Sequence, residues 1–258
     1  MFWYTSSMSW ASNRQFIILA IIGLMIFAFF AVVTIATLYK APSCSDGVQN
    51  HGEAGIDCGG PCQYLCTNEA HAPTVIFTKV ITNDTGRIDV VASIENVNAT
   101  AAAKSVPYMV TLYGADRALI QQVTGTIDLP PASTIPVFIQ NVNQNVVHAF
   151  LTIDRSVPSW YMVASDPRIL PVVSNTTIRG TTDAPRIDAI VSNSSAIALS
   201  DVRMIIIVHD ASGEVITASQ TIVQEIPAQG QATATFTWNR AFPGTPAAIE
   251  VIPVVPLP

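Results

Sequence analysis

The sequence predicts a single N-terminal transmembrane helix followed by an all-β part, two tandem antiparallel β-sandwiches of immunoglobulin type, with a small disulfide-rich module between helix and sandwiches. Three observations carry this reading. Residues 16–39, FIILAIIGLMIFAFFAVVTIATLY, form an uncharged apolar run. All four cysteines follow within 23 residues. The remainder is rich in Val, Ile, Thr and Ala, and it repeats itself at a period of about 97 residues, the size of one sandwich.

At helical rise the 24 apolar residues span about 36 Å, enough to cross a hydrocarbon core of about 30 Å. A cleaved signal peptide has a shorter apolar part and ends in a small-x-small site, which Ala36-Thr37-Leu38 is not. Ala41-Pro42-Ser43 ahead of Cys44 does not fit a lipoprotein signal. Trp3, Tyr4 and Trp10 before the run and Tyr39 after it suit the two interfacial belts. Arg14 precedes the run and Lys40 follows it; all 18 acidic residues lie beyond it, giving residues 41–258 a net charge of −8. Acidic residues and cysteines on one side predict residues 1–15 cytoplasmic, 16–39 spanning the membrane as an uncleaved signal-anchor, and the rest outside. A chain so acidic excludes nucleic acid as a partner.

Residues 40–70 form the cysteine-rich module. Cys44, Cys58, Cys62 and Cys66 are an even set in an oxidising context and predict two disulfides. Three connectivities are open, and Cys62 and Cys66, four apart, would face each other on a helical turn. Zinc suits four cysteines in number but not at this spacing. Between the cysteines, residues 46–57 collect oxygen-bearing side chains and three glycines. Asp46, Asn50, Glu53 and Asp57 are candidate ligands for calcium, which takes six to eight hard oxygens; the alternative is that they form the turns of a disulfide knot. The pattern Cys44-x-Asp46-Gly47-x-x-Asn50-x-x-Glu53-x-x-x-Asp57-Cys58-Gly59-Gly60-x-Cys62 resembles a short module of prokaryotic membrane-anchored surface and secreted proteins. The resemblance covers about a tenth of the chain and implies surface display.

Residues 71–155 and 179–258 are the two sandwiches, with residues 156–178, holding Pro158, Pro167 and Pro171, as a semi-rigid connector. Ala232, Ala234, Phe236 and Trp238 alternate with Thr233, Thr235 and Thr237, as in a strand with one buried face. Arg87-Ile88-Asp89 returns as Arg186-Ile187-Asp188, the apolar run at 106–113 returns at 202–209, and Leu129-Pro130 returns as Ile226-Pro227. Asn193, the turn at Asp210 to Gly213, and Ile226-Pro227 follow an order similar to the FxLYD-like domains of prokaryotic envelope proteins.

No catalytic chemistry is legible. G-x-S-x-G, H-E-x-x-H and G-x-x-x-x-G-K-S/T are absent, and His51, His71, His148 and His209 are scattered. His209 beside Asp210 sits where a strand enters a turn, with no nucleophile to meet it. The expectation is no enzyme, and no cofactor beyond the candidate calcium. Asn83, Asn98, Asn175 and Asn193 each open an Asn-x-Ser/Thr triplet, which favours exposed turns. The chain reads as a single-pass cell-membrane protein displaying its sandwiches for adhesion or contact with other envelope or surface proteins. The alternative is a structural subunit that self-associates.

Overall fold

The computed structural model describes residues 10–38, 43–84, 86–154, 159–180 and 183–258. Trp3, Tyr4, Tyr39, Lys40 and Pro158 lie outside the described residues. The chain divides into two units, Met1–Cys62 and Gln63–Pro258.

In the first unit a single helix, α1 (Trp10–Leu38), begins six residues before the apolar run. Extending a helix costs far less than nucleating one, and no Gly or Pro in residues 10–15 stops it. Its 29 residues are about 44 Å long. No side chain of residues 13–37 is buried, although nearly all are apolar. Near its end, Thr34 and Thr37 donate their hydroxyls to the carbonyls of Phe30 and Val33 at 2.7 and 2.8 Å, so both polar groups are satisfied within the helix.

The second unit is all β. β1 (Thr74–Asp84), β2 (Arg87–Asn96) and β5 (Ser133–Val142) form a sheet in the order β1-β2-β5. It faces a sheet of β4 (Leu119–Leu129), β3 (Ala101–Tyr113) and β6 (His148–Ile153), in the order β4-β3-β6, with the short β7 (Trp160–Met162) beside the start of β3. The second sandwich repeats this plan. β8 (Val172–Arg179), β9 (Arg186–Ser192) and β12 (Gln231–Thr237) form one sheet, and β11 (Val215–Ile226), β10 (Leu199–His209) and β13 (Ala248–Val254) the other, with β9 and β10 central. All of these pairings are antiparallel. Val90, Ile94, Leu112, Leu129 and Trp160 fill the first core; Ile187, Met204, Ile206, Phe236 and Trp238 fill the second. The indole of Trp238 satisfies its N–H on the Thr217 hydroxyl at 2.9 Å.

The repeat extends to single atoms. Asn96 and Asn193, 97 positions apart, are 1% and 2% exposed. Asn96 Nδ2 donates to the carbonyls of Ala101 and Pro130 at 2.9 and 2.6 Å, and to Leu129 at 3.4 Å. Asn193 Nδ2 donates to Ile197, Ile226 and Pro227 at 2.7, 3.3 and 3.2 Å. Each amide therefore ties the turn that follows its own strand to the Leu-Pro or Ile-Pro turn. The side-chain oxygens accept from Asn98 N and Ser195 N at 3.0 Å each. The backbone repeats likewise: φ is positive at Ser105 and Asp201 and at Ala132 and Gln229.

A third apolar cluster joins the two sandwiches. Ile81 and Val91 from β1 and β2 are buried against Ile205 and Ile207 of β10 and Val215 and Ala218 of β11, with Phe77, Phe138, Ile252 and Val254 packed around them. The outer face of β1-β2-β5 is thus covered by the outer face of β11-β10-β13, and Lys79 Nζ meets Glu214 Oε2 at 3.0 Å beside it. Residues 156–178 are the expected connector, described from residue 159 on. They carry β7, paired with the first sandwich, and β8, paired with the second. The sandwiches meet through apolar side chains, whose burial favours a fixed body over a hinged pair.

The stretch between β7 and β8 is fastened by Arg168, whose side chain is 5% exposed. It donates to the Asp166 carboxylate at 2.7 Å and to the Val255 carbonyl at 3.3 Å. Hydrogen bonding from Arg168 holds the Asp166 pKa below the usual carboxylate value, against the opposing effect of desolvation. A depressed folded-state pKa means that the stabilisation is present above the ordinary carboxylate pKa of about 3.9 and is lost as pH falls through the folded value. Melting temperatures between pH 5 and pH 2 should therefore fall less steeply in Asp166→Asn than in the native chain. Parallel curves would assign the acid sensitivity to other carboxylates.

Candidate functional site

The cysteine module and one open sheet face are the two places where side chains gather in ways that the cores do not require. In the module, Cys44 is bonded to Cys62 with Cα atoms 5.6 Å apart, and Cys58 and Cys66 are in disulfide linkage as well. No cysteine is free. Residues 62–66 are not helical, so the one-turn Cys62–Cys66 pairing does not form. Zinc would need thiolates, and oxidised cysteines offer none. In native protein, alkylation without reduction should therefore leave all four cysteines unlabelled. Cys44–Cys62 closes a separation of 18 residues, so reducing it should destabilise the module by about 3 kcal/mol.

Of the four candidate calcium ligands, Asp46, Glu53 and Asp57 accept from the backbone, and the Asn50 side chain donates to Asp46. Asp57 accepts from Gly47 N at 3.0 and 3.1 Å. Asp46 accepts from Val48 N at 2.9 Å and from Asn50 Nδ2 at 2.9 Å. Glu53, 7% exposed, accepts from Asn50 N and Asp57 N at 3.3 and 3.2 Å, and its other oxygen lies 3.2 Å from Cys62 Sγ. Asp46 and Asn50 are brought together, and Glu53 braces the same loop. Among the described residues the carboxylates of Asp46, Glu53 and Asp57 do not converge on a common point. Positive φ explains Gly47, Gly52, Gly59 and Gly60, and His51 and Asp57 adopt it as well. At Gly60 a Cβ would sit 2.2 Å from the Gly52 carbonyl, so no larger residue fits there.

The open face is the outer side of β4-β3-β6. Register places Tyr113 opposite His148, Thr111 opposite Phe150 and Met109 opposite Thr152. Thr111, Tyr113, Arg117, His148, Phe150 and Thr152 line a shallow groove of about 480 Å³. The Tyr113 and Phe150 rings meet edge to face, centroids 5.9 Å apart, and Phe150 remains 59% exposed. Arg117 stands on the neighbouring turn, where its amide donates to Gly114 O at 3.0 Å.

The tandem copies give this face an internal control. Thr111 occupies in β3 the position that Ile207 occupies in β10, and Ile207 is buried between the sandwiches. On the other pair of sheets, Phe138 lies opposite Val91 and Thr233 lies opposite the equivalent Ile190. Phe138 is packed in the joint, whereas Thr233 is exposed. The two covered faces are apolar at these positions, where the other two faces carry threonines, Thr111 at 8% exposure and Thr233 exposed. Exposed Phe150, with Leu119 opposite Tyr113 and also exposed, departs from this pattern.

The remaining candidates are structural. Asp89 is fully buried, paired with Arg87 at 3.0 Å and accepting from Asn141 N at 2.8 Å. Asp188 pairs with Arg186 at 2.9 Å and accepts from the Thr235 hydroxyl at 2.7 Å; the Arg186 hydrogen bonds hold its pKa below the ordinary carboxylate value. Asp210 caps its own turn, accepting from Ser212 N and Glu214 N at 2.8 and 3.1 Å. His209 Nδ1 lies 3.1 Å from Gly213 O in the same turn. His51, His71 and His148 lie in separate elements, one in the first unit and two in the second. The expectation of exposed Asn-x-Ser/Thr turns is corrected for two sites: Asn98 and Asn193 are buried at 8% and 2% exposure. The Asn83 side chain lies outside the described residues.

No family model and no curated protein matches the sequence. Among solved structures, red sea bream transglutaminase is similar over 71% of this chain and 29% of its own, at 10% identity and a TM-score of 0.24. Coconut allergen cocosin is similar over 72% and 84% of the two chains, at 10% identity and a TM-score of 0.12. This chain thus spans less than a third of the transglutaminase, and overlaps this loose carry nothing about activity.

Proposed function

We propose that the chain is a membrane-anchored, non-enzymatic display protein whose C-terminal body, residues 63–258, stands outside the cytosol and makes contact with other surface proteins. The observation that carries this is α1, in which no side chain of residues 13–37 is buried although nearly all are apolar. Such a surface is unfavourable in water and at home in a bilayer. Oxidised cysteines and the acidic charge beyond residue 40 support an outward body.

The groove around Phe150 supports contact with a foreign partner over stacking of sister chains. The joint is built from Ile, Val and Phe on one side and Ile, Val and Ala on the other, and the equivalent positions of the two remaining faces hold Thr111 and Thr233, so that pairing is not repeated there. An exposed aromatic among hydroxyl groups is the composition of a contact anchor. A photocrosslinking amino acid at position 150, in intact cells, is expected to capture a different protein, and the same probe at exposed Ile222 is expected to capture little. Ladders of this chain from position 150 would replace the proposal with a self-associating structural subunit. Equal capture from both positions would sink the groove as the contact site.

A further inference from the structure

We propose that Asn175 is a glycosylation site, the acceptor of an N-linked glycan on the outer body; the inference rests on the outward orientation given above. Of the Asn-x-Ser/Thr triplets, those at Asn98 and Asn193 have their amide nitrogens committed. Asn98 Nδ2 donates to His71 O and Asn96 Oδ1, both at 2.8 Å, and Asn193 Nδ2 to three carbonyls. A sugar on either nitrogen would displace bonds that close the sandwiches.

Asn175 is the opposite case. It lies in β8, an edge strand, and the pairing of β8 with β9 breaks between Ser174 and Thr177. Residues 174–177 are all exposed, and φ at Asn175 is +49°, so the backbone turns out of the extended ladder there. Among the described residues its side chain makes no hydrogen bond. Thr177, the hydroxyl residue of the triplet, is exposed as well. The acceptor segment is therefore presented on a bulge that leaves the sheet without breaking a core contact.

The donor is a lipid-linked oligosaccharide pyrophosphate. The Asn175 amide nitrogen forms a bond to the anomeric carbon and loses one proton. The bond from that carbon to the pyrophosphate oxygen breaks, and its electron pair leaves with the lipid pyrophosphate. A glycan at this point would also shield an open sheet edge from pairing with another chain.

Tryptic digestion isolates the triplet in residues 169–179, which hold no other asparagine. From full-length protein purified out of its native membrane, that peptide is expected to carry a glycan mass. N175Q and T177A should abolish it, and T176A should retain it. Protease shaving of intact cells, read on the same preparation, reports the orientation separately. Shaved residues with an unmodified 169–179 peptide would overturn this inference and leave the display reading standing. An unmodified peptide on a body that shaving cannot reach would sink both. A glycan on Asn98 or Asn193 of folded protein would overturn the burial argument.

Discussion

Replacing Asn193 by Ala is expected to remove about 3 kcal/mol of stability and to lower the melting temperature of the β body by about 6–12 °C. The side chain is 2% exposed, and its truncation removes a donor from the carbonyls of Ile197, Ile226 and Pro227 and the acceptor of the Ser195 amide; Ile197 keeps the Ser195 hydroxyl and Pro227 the Gly230 amide. Each unsatisfied buried group costs about 1–3 kcal/mol, partly recovered by water. In a body of about 200 residues, 1 kcal/mol moves the transition by about 2–4 °C. Asn193→Asp should be worse than Ala, because it sets a carboxylate oxygen against the carbonyls that the amide nitrogen now serves. Asn96→Ala should behave like Asn193→Ala, since its bonds are equivalent. Asn175→Ala, exposed but at a left-handed φ of +49°, should cost about 1 kcal/mol, well short of Asn193→Ala. An Asn193→Ala transition within 2 °C of the native one would refute the role assigned to this amide.

The fold was legible where periodicity and repetition carry it. Alternation over residues 232–238 marks β12, and the recurrence of Arg-Ile-Asp and of the Leu-Pro and Ile-Pro turns marks two copies of one topology. The function of Asn96 was not legible, although its recurrence as Asn193 was there to be found. A buried asparagine in a turn has the same letter code as an exposed one, and only the fold decides which carbonyls it meets. The calcium candidates show the same ambiguity: Asp46, Glu53 and Asp57 accept backbone N–H groups, and turn chemistry and metal chemistry draw on the same residues.

The joint between the sandwiches was written in the sequence as a signal that differs from alternation. Residues 204–208, Met-Ile-Ile-Ile-Val, are apolar at every position. A strand with one face in solvent alternates, whereas a strand buried on both faces does not. Met204, Ile206 and Val208 enter the second core, while Ile205 and Ile207 enter the joint. In β2, Val90 and Val91 divide in the same way. The prolines at 158, 167 and 171 suggested a connector because they interrupt periodicity, yet proline stiffens a fixed crossing as well as a free one.

Ile81→Asp is the substitution that tests whether this joint makes one body of the two sandwiches. Ile81 is 3% exposed and belongs to the joint cluster, not to either core. Its register partner is Asp89, itself fully buried, so the new carboxylate meets both an apolar wall and a like charge. The expected loss is on the order of 4 kcal/mol, at the upper end for a single substitution. Because neither core is touched, the loss should fall on coupling: one cooperative unfolding transition for residues 63–258 should become two, each with a smaller denaturant slope. Lys79→Ala, which removes only the exposed ion pair with Glu214, should cost under about 1 kcal/mol and keep a single transition. Ile222→Asp, on an exposed position, should change neither. A native chain that already unfolds in two steps would make the joint a contact of convenience, and the apolar runs in β2 and β10 would then need another partner.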